Sequence, residues 1–78
     1  MKLSRHARNN MRLYKLSEVD IKSAIDFPDE EKKEGNRMAA IKSLPGRFAG
    51  HPLKVVYESI NEQVIIVTAY PLKKKEWR

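Results

Sequence analysis

The spacing of apolar residues near the start of the chain predicts a short amphipathic helix. Four apolar side chains fall on one narrow stripe of this helix: Leu3, Ala7, Met11 and Tyr14. Four basic side chains fall on an equally narrow stripe on the opposite side: Arg5, Arg8, Arg12 and Lys15. His6 and Asn10 lie on a shoulder between the two stripes. With Ser4 as its cap, the helix is expected to run to about Tyr14.

A second helix is predicted directly after the first. Ser17, followed three residues later by Asp20, has the pattern of a capping box. Leu16 can pack onto Ile21 and thereby set the angle at which the chain enters the helix. The Phe-Pro step at residues 27–28 ends the helix, because the residue before a proline is pushed out of helical geometry.

The middle of the chain is harder to assign. Residues 29–36 are charged, contain a glycine and have no periodicity, so a loop is expected there. Residues 37–44 suit a strand, although their Met-Ala-Ala step would also suit a helix. The Pro-Gly step at residues 45–46 then indicates a turn.

Two later segments are stronger strand candidates. Residues 53–60 are rich in β-branched and aromatic side chains. Residues 64–70 form a continuous apolar run, which is typical of a central strand covered on both faces. Residues 61–63 between them predict a hairpin. This order of elements predicts an α+β fold in which two N-terminal helices pack on one face of a three- to four-stranded antiparallel sheet.

Length and composition narrow the class of protein. The 78 residues are expected to form a single domain, residues 1–78. The absence of cysteine excludes disulfides and zinc sites built from thiolates. No stretch approaches the about 20 apolar residues of a membrane span, and the start has no signal-peptide core. We therefore expect a cytoplasmic protein that does not enter a membrane.

The distribution of charge suggests a polyanionic partner. The formal net charge is +6, residues 1–15 contain no acidic side chain, and the tail carries Lys73 and Lys74. Blocks of like charge at both ends of a small protein favour nucleic acid as a partner. A solvated, lysine-rich surface without a partner is the alternative, and we favour it less.

Short motifs in the chain resemble a known family. His6-Ala7 followed by Met11 is similar to the opening His-Ala-x-x-x-Met helix of a widespread family of small bacterial domains of unknown function. Residues 53–57 and 67–71 are similar to that family's paired closing strands. The family is usually grouped with RelE-like and barnase–EndoU–colicin ribonucleases.

This resemblance implies a fold, an activity and a partner. The fold would be RelE-like, and the activity would be RNA cleavage without a metal or other cofactor, leaving 2′,3′-cyclic phosphate ends. An acidic antitoxin protein would often accompany such a toxin. The chain departs from the family at residues 14–16, where Tyr-Lys-Leu replaces a common Arg-Gly-Ile step. Any role of that arginine would here pass to Lys15.

Four residues are candidates for the chemistry. His6 is the expected acid–base group, since imidazole titrates near neutral pH. A histidine that only hydrogen-bonds to its neighbours is an equally favoured interpretation. Around the phosphate, Lys54 would supply charge, Thr68 a hydroxyl donor and Tyr70 a stacking surface. The alternatives are an ordinary strand lysine, which is slightly favoured, a structural threonine and a core tyrosine.

Further basic residues are predicted to hold the nucleic acid. The predicted nucleic-acid-binding set is Arg5, Arg8, Arg12, Lys15, Arg47, Lys73 and Lys74. Arg47 is more simply an exposed turn residue, and His51 a solvated loop residue. No residues have metal-ligand spacing. The leading hypothesis is a small toxin-type endoribonuclease, and the alternative is a non-catalytic module that binds nucleic acid or an antitoxin through the first helix.

Overall fold

The structure is a computed structural model that describes residues 1–72, which form one sheet and two helices. The helices are α1 (Arg5–Tyr14) and α2 (Glu18–Asp26). The strands, in chain order, are β1 (Lys2–Leu3), β2 (Glu30–Glu34), β3 (Arg37–Lys42), β4 (Leu53–Ile60) and β5 (Gln63–Pro71). A short 3-10 turn, Phe48–Gly50, lies between β3 and β4.

The sheet is mixed. Its strands lie in the order β1-β5-β4-β3-β2, and all neighbours are antiparallel except β1, which runs parallel to β5. The α+β class with two N-terminal helices is therefore confirmed. The prediction of three to four antiparallel strands is wrong, because the sheet has five strands and one parallel pair. With only Lys2 and Leu3, β1 is too short to show a strand period.

The region predicted as a loop contains a strand. Glu30–Glu34 forms β2 and pairs with β3 in a hairpin, with Glu30 opposite Ile41. Every residue of β2 is exposed, so no alternation of apolar and polar side chains marks it in the sequence. The backbone ladder with β3 holds it instead. The strand prediction for residues 37–44 is confirmed as β3, Arg37–Lys42.

Both helices begin as predicted. The Ser4 hydroxyl accepts a hydrogen bond from the Ala7 amide at 3.0 Å and caps α1. Ser17 and Asp20 form both hydrogen bonds of the capping box of α2. The helix ends at Asp26, directly before the Phe-Pro step. Local sequence signals therefore set the start of both helices and the end of α2.

The main core lies between the helices and one face of the sheet. Its buried members come from both helices, the segment between them, and β4 and β5: Ala7, Leu16, Ile21, Ala24, Leu53, Val55, Ile66 and Ala69. Leu3, Met11 and Tyr14 of the predicted apolar stripe pack against it. Because both helices share this one core, the prediction that residues 64–70 are covered on both faces is wrong. Ile65, Thr68 and Tyr70 remain half-exposed.

A β-bulge at Val67 explains which side chains of β5 face the core. Val56 pairs with Thr68, but the next residue, Tyr57, pairs with Ile66, so Val67 is an extra residue in β5. In an unbroken strand, positions 66, 68 and 70 would share a face. With the bulge, Ile66 and Ala69 both enter the core. Thr68 and Tyr70, the neighbours of Ala69 along the strand, lie outside the core.

Candidate functional site

The start of α1 is tied to β5 where β1 ends. After Leu3 pairs with Ile66, the Ser4 amide donates to the Ile66 carbonyl at 3.0 Å. The Ser4 hydroxyl donates to the Val67 carbonyl at 2.7 Å. Beyond this point no described strand pairs with the outer edge of β5, and α1 lies there instead. We call this contact between α1 and residues 66–68 the seam.

The seam also contains a side-chain hydrogen bond. The Asn10 amide nitrogen donates to the Thr68 hydroxyl oxygen at 3.1 Å, and both side chains are half-buried. His6 lies one helical turn before Asn10 on the same side of α1 and is exposed. The seam therefore combines an amide and a hydroxyl at one edge of the sheet, with an exposed imidazole one helical turn away on α1.

Lys54 and Tyr70 lie side by side on the face of the sheet away from the helices. They are directly opposite each other in β4 and β5, and the Lys54 ammonium is 5.9 Å from the centre of the Tyr70 ring. The ammonium also lies 3.3 Å from the Glu34 carboxylate. Only 17% of the Lys54 side chain is exposed.

This environment keeps Lys54 positively charged. Burial lowers its pKa, but the neighbouring Tyr70 phenol and Glu34 carboxylate more than offset that effect, so the pKa of Lys54 is raised above its usual value. Lys54 is therefore a fixed cation at neutral pH. Its charge can stabilise a neighbouring anion. Its pKa is too far above neutral pH for Lys54 to serve as an efficient general acid.

The four predicted catalytic residues fall into two neighbouring groups. Thr68 and Tyr70 are two residues apart on β5, and Lys54 is the cross-strand neighbour of Tyr70. His6 is exposed on α1, one helical turn before Asn10, whose side chain contacts Thr68. The structure thus brings Lys54, Thr68 and Tyr70 together on two paired strands and leaves His6 on α1, and the roles of all four in catalysis stay predictions.

The basic residues of α1 form an exposed surface. Arg5, Arg8, Arg12 and Lys15, the basic stripe, are all exposed. Within residues 1–72, none of the four side chains forms a salt bridge. Their charge is therefore available to an anionic partner, in contrast to the charge of Lys54.

Arg47 is engaged inside the molecule. Its guanidinium forms a salt bridge of 2.9 Å with Asp20 and donates to the Lys15 carbonyl at 3.3 Å. It also lies 5.1 Å from the centre of the Phe48 ring. The hydrogen bond from Arg47 holds the pKa of Asp20 below its usual value. This arginine joins the turn before β4 to both helices, and we leave it out of the site.

The remaining candidates are a loop histidine and two lysines. His51 is half-buried in the loop before β4. Lys73 and Lys74 lie beyond the described residues 1–72.

Two residues of the site were not predicted from the sequence. The sequence predicts only that Asn10 lies on the shoulder of α1, and its position one helical turn from His6 is the signal that could identify it. Glu34 gave no such signal, because its contact with Lys54 depends on how the β2–β3 hairpin lies against β4.

Two further observations concern metals and membranes. Nowhere in the described part of the chain do three or more His, Asp or Glu side chains come together as a metal site. Neither helix of residues 1–72 has the length and apolar character needed to cross a bilayer.

Comparison with known proteins identifies a family but no characterised relative. The family model described as "Domain of unknown function (DUF4258)" matches residues 3–71, which is nearly the whole chain. No curated protein and no solved structure matches the chain. The expected resemblance to a family of small domains of unknown function is confirmed at this level. The chain belongs to the DUF4258 family.

Proposed function

We propose that this protein is a toxin-type, RelE-like endoribonuclease of the cytoplasm that binds RNA on the basic stripe and cleaves it at the seam. The observation that carries the proposal is that α1 bears both features: four exposed cations without salt bridges in residues 1–72, and His6 beside the Asn10–Thr68 contact. Arginine and lysine side chains hold RNA through its phosphates. In this proposal a strand held on the stripe curves around α1, past His6, to reach Thr68.

The proposed reaction uses the 2′-hydroxyl of the RNA as the nucleophile. His6 takes the proton of this hydroxyl, the 2′ oxygen bonds to phosphorus, and the bond from phosphorus to the 5′ oxygen breaks. Water protonates the leaving oxygen. The products are a 2′,3′-cyclic phosphate end and a 5′-hydroxyl end. Thr68 would donate to a phosphate oxygen, and the Lys54 cation would stabilise the charge that develops there.

Incubation of the purified protein with RNA in EDTA tests cleavage. We expect the wild type to produce 2′,3′-cyclic phosphate ends. His6→Ala should lower the rate by about 10²- to 10⁴-fold, the usual contribution of a general acid–base group. His51→Ala is the matched control, because it removes the other histidine, which lies in the loop before β4 and has no role in the proposed reaction, and it should keep the wild-type rate. Equal rates in the wild type and His6→Ala would refute the catalytic role.

A non-catalytic RNA-binding module is the second candidate. It is favoured by the contacts of Lys54, because its ammonium already forms a salt bridge with Glu34 and lies over the Tyr70 ring. In this function the basic stripe alone carries the binding. RNA binding with the expected salt dependence, but without any cleavage product in the wild type, would select it over the ribonuclease.

Salt dependence measures the contribution of the stripe in both functions. If all four of its cations contact phosphates of single-stranded RNA, log K should change with log salt with a slope of about −2.8. Raising the salt from about 50 to about 200 mM would then weaken binding about fiftyfold. The double variant Arg8→Glu/Arg12→Glu should lose most of this dependence, whereas Lys32→Glu/Lys33→Glu, with the same change of net charge, should retain it. A flat response of the wild type would contradict both functions.

From the resemblance to toxins, we also propose that an acidic antitoxin is a partner of this protein. Its carboxylates would occupy the same four cations as the RNA phosphates, because the stripe is the exposed basic surface of α1. We therefore expect antitoxin and RNA to compete for the protein.

A further inference from the structure

We infer that Asn10 is a positioning residue that directs the hydroxyl proton of Thr68 towards the bound phosphate. This inference rests on the proposed function, since it concerns the same seam. It assigns a role to a residue whose side chain makes one hydrogen bond within residues 1–72: the Asn10 side-chain nitrogen donates to the Thr68 hydroxyl oxygen at 3.1 Å.

The chemistry of a hydroxyl group allows this role. Threonine has one O–H donor and two acceptor lone pairs, and its proton rotates to suit its neighbours. When Asn10 donates to the oxygen, the hydroxyl proton must point elsewhere. In residues 1–72 the Thr68 hydroxyl donates to no acceptor, so its proton is free for a phosphate oxygen.

The backbone around both residues holds this geometry. Ser4 anchors the start of α1 to the Ile66 and Val67 carbonyls at 3.0 and 2.7 Å. The bulge at Val67 keeps Thr68 out of the core. Inside the core, the hydroxyl would have to donate its proton to a buried acceptor. Asn10 therefore acts from a fixed helix onto a side chain that the bulge has turned outwards.

The fold itself does not need the Asn10 amide. α1 is already attached through the two hydrogen bonds of Ser4 and through buried Ala7 in the core. Asparagine is also a poorer helix former than alanine, so the residue is not explained by helix propensity. Asn9, directly beside it, is exposed and makes no side-chain hydrogen bond within residues 1–72, which makes it a matched control.

The test measures RNA affinity, and the cleavage rate if there is one, for paired variants of Asn10 and Asn9. Asn10→Ala should weaken binding or slow cleavage about fivefold, the usual effect of one hydrogen bond, and Asn9→Ala should not. Asn10→Asp should be worse than Asn10→Ala, because a carboxylate accepts the Thr68 proton and turns it inwards. Asn9→Asp controls for the added negative charge.

A double-mutant cycle then separates positioning from a structural role. In a Thr68→Val background, which has no hydroxyl to direct, Asn10→Ala should have no further effect. In a Thr68→Ser background, which keeps the hydroxyl, the fivefold effect should return. Thermal unfolding of each variant verifies that every protein is folded at the temperature at which its affinity is measured.

The outcomes distinguish this inference from the proposed function. If the wild type binds RNA and Asn10→Ala equals Asn9→Ala, the positioning role is wrong and the proposed function stands. The positioning role is also wrong if Asn10→Ala has its full effect in the Thr68→Val background. A wild type that neither binds nor cleaves RNA overturns both.

Discussion

The two outer edges of the sheet are protected in opposite ways. At one edge, β1 covers β5 as far as Ile66, and α1 then takes over. At the other edge, β2 is fully exposed and consists of Glu30–Glu34, in which every side chain is charged. An uncovered strand edge invites pairing with other chains, and charged side chains discourage it.

The difference shows where a site can form. The covered edge can hold apolar residues and a bulge, because α1 satisfies part of the backbone that the bulge leaves unpaired. It thus combines a buried core with polar side chains at its rim. The charged edge is regular and has no such combination. The candidate site lies at the edge where helix and strand meet, and four predictions test this contrast.

The largest expected effect on the free energy of unfolding comes from the removal of a core side chain at the covered edge. Ile66→Ala removes one of the largest fully buried side chains and should lower the free energy of unfolding by about 2–5 kcal/mol. Lys32→Ala, in the middle of exposed β2, should change it by no more than about 0.5 kcal/mol. Urea unfolding measures both, and similar losses would remove the contrast between the edges.

The next effect concerns the attachment of α1. Ser4→Ala removes both the cap of α1 and the donor to the Val67 carbonyl, so we expect a loss of about 1–2 kcal/mol. Glu34→Gln, which breaks the salt bridge from β2 to Lys54, should lose at most about 1 kcal/mol. Urea unfolding of the two variants side by side decides whether the seam is held more firmly than the hairpin.

A smaller effect on stability, but a clear one on solubility, is expected from replacing the two lysines of the charged edge with apolar side chains. Lys32→Val/Lys33→Val should change the free energy of unfolding by about 0.5 kcal/mol or less, yet should promote association through β2. Arg8→Val/Arg12→Val removes the same charge from a helix and should associate less. Light scattering at equal protein concentrations compares them, and equal association would show that charge at the edge has no special role.

The smallest effect is a dependence of stability on pH that arises from Asp20. This residue is part of α2, which packs on β3 and β4 between the two edges of the sheet. Its pKa is lowered by the hydrogen bond from Arg47, so its contribution to stability is complete above the unfolded pKa of about 4. That contribution is lost as the pH falls through the lower, folded value. The stability difference between the wild type and Asp20→Asn should therefore shrink on acidification from about pH 6 to about pH 3. Unfolding measured across this range would contradict the assignment if the difference stayed constant.

Local patterns were enough to predict most of the helical layer. The caps at Ser4 and Ser17 and the stop before Pro28 depend only on residues within a few positions of each other. The shoulder position of His6 follows from helical geometry alone. The strands that contain Lys54, Thr68 and Tyr70 follow from the composition of residues 53–60 and 64–70, and these two strands do pair.

The remaining features depend on contacts between distant residues. The bulge leaves no trace in the continuous apolar run, because any residue of that run could have been the extra one. The salt bridge of Arg47 with Asp20 joins residues 27 positions apart, so the turn at residue 46 suggested only an exposed arginine. β2 has no alternation, since both of its sides face solvent.

The bond between Ser4 and Val67 joins residues 63 positions apart. Most of the chain must therefore be synthesised before α1 can dock, and pairing between such distant segments is slow. The segment that contains α1 thus waits until β5 has been synthesised. If the seam is the site of action, a growing chain cannot act on RNA near the ribosome that makes it, and activity begins only when β5 is in place.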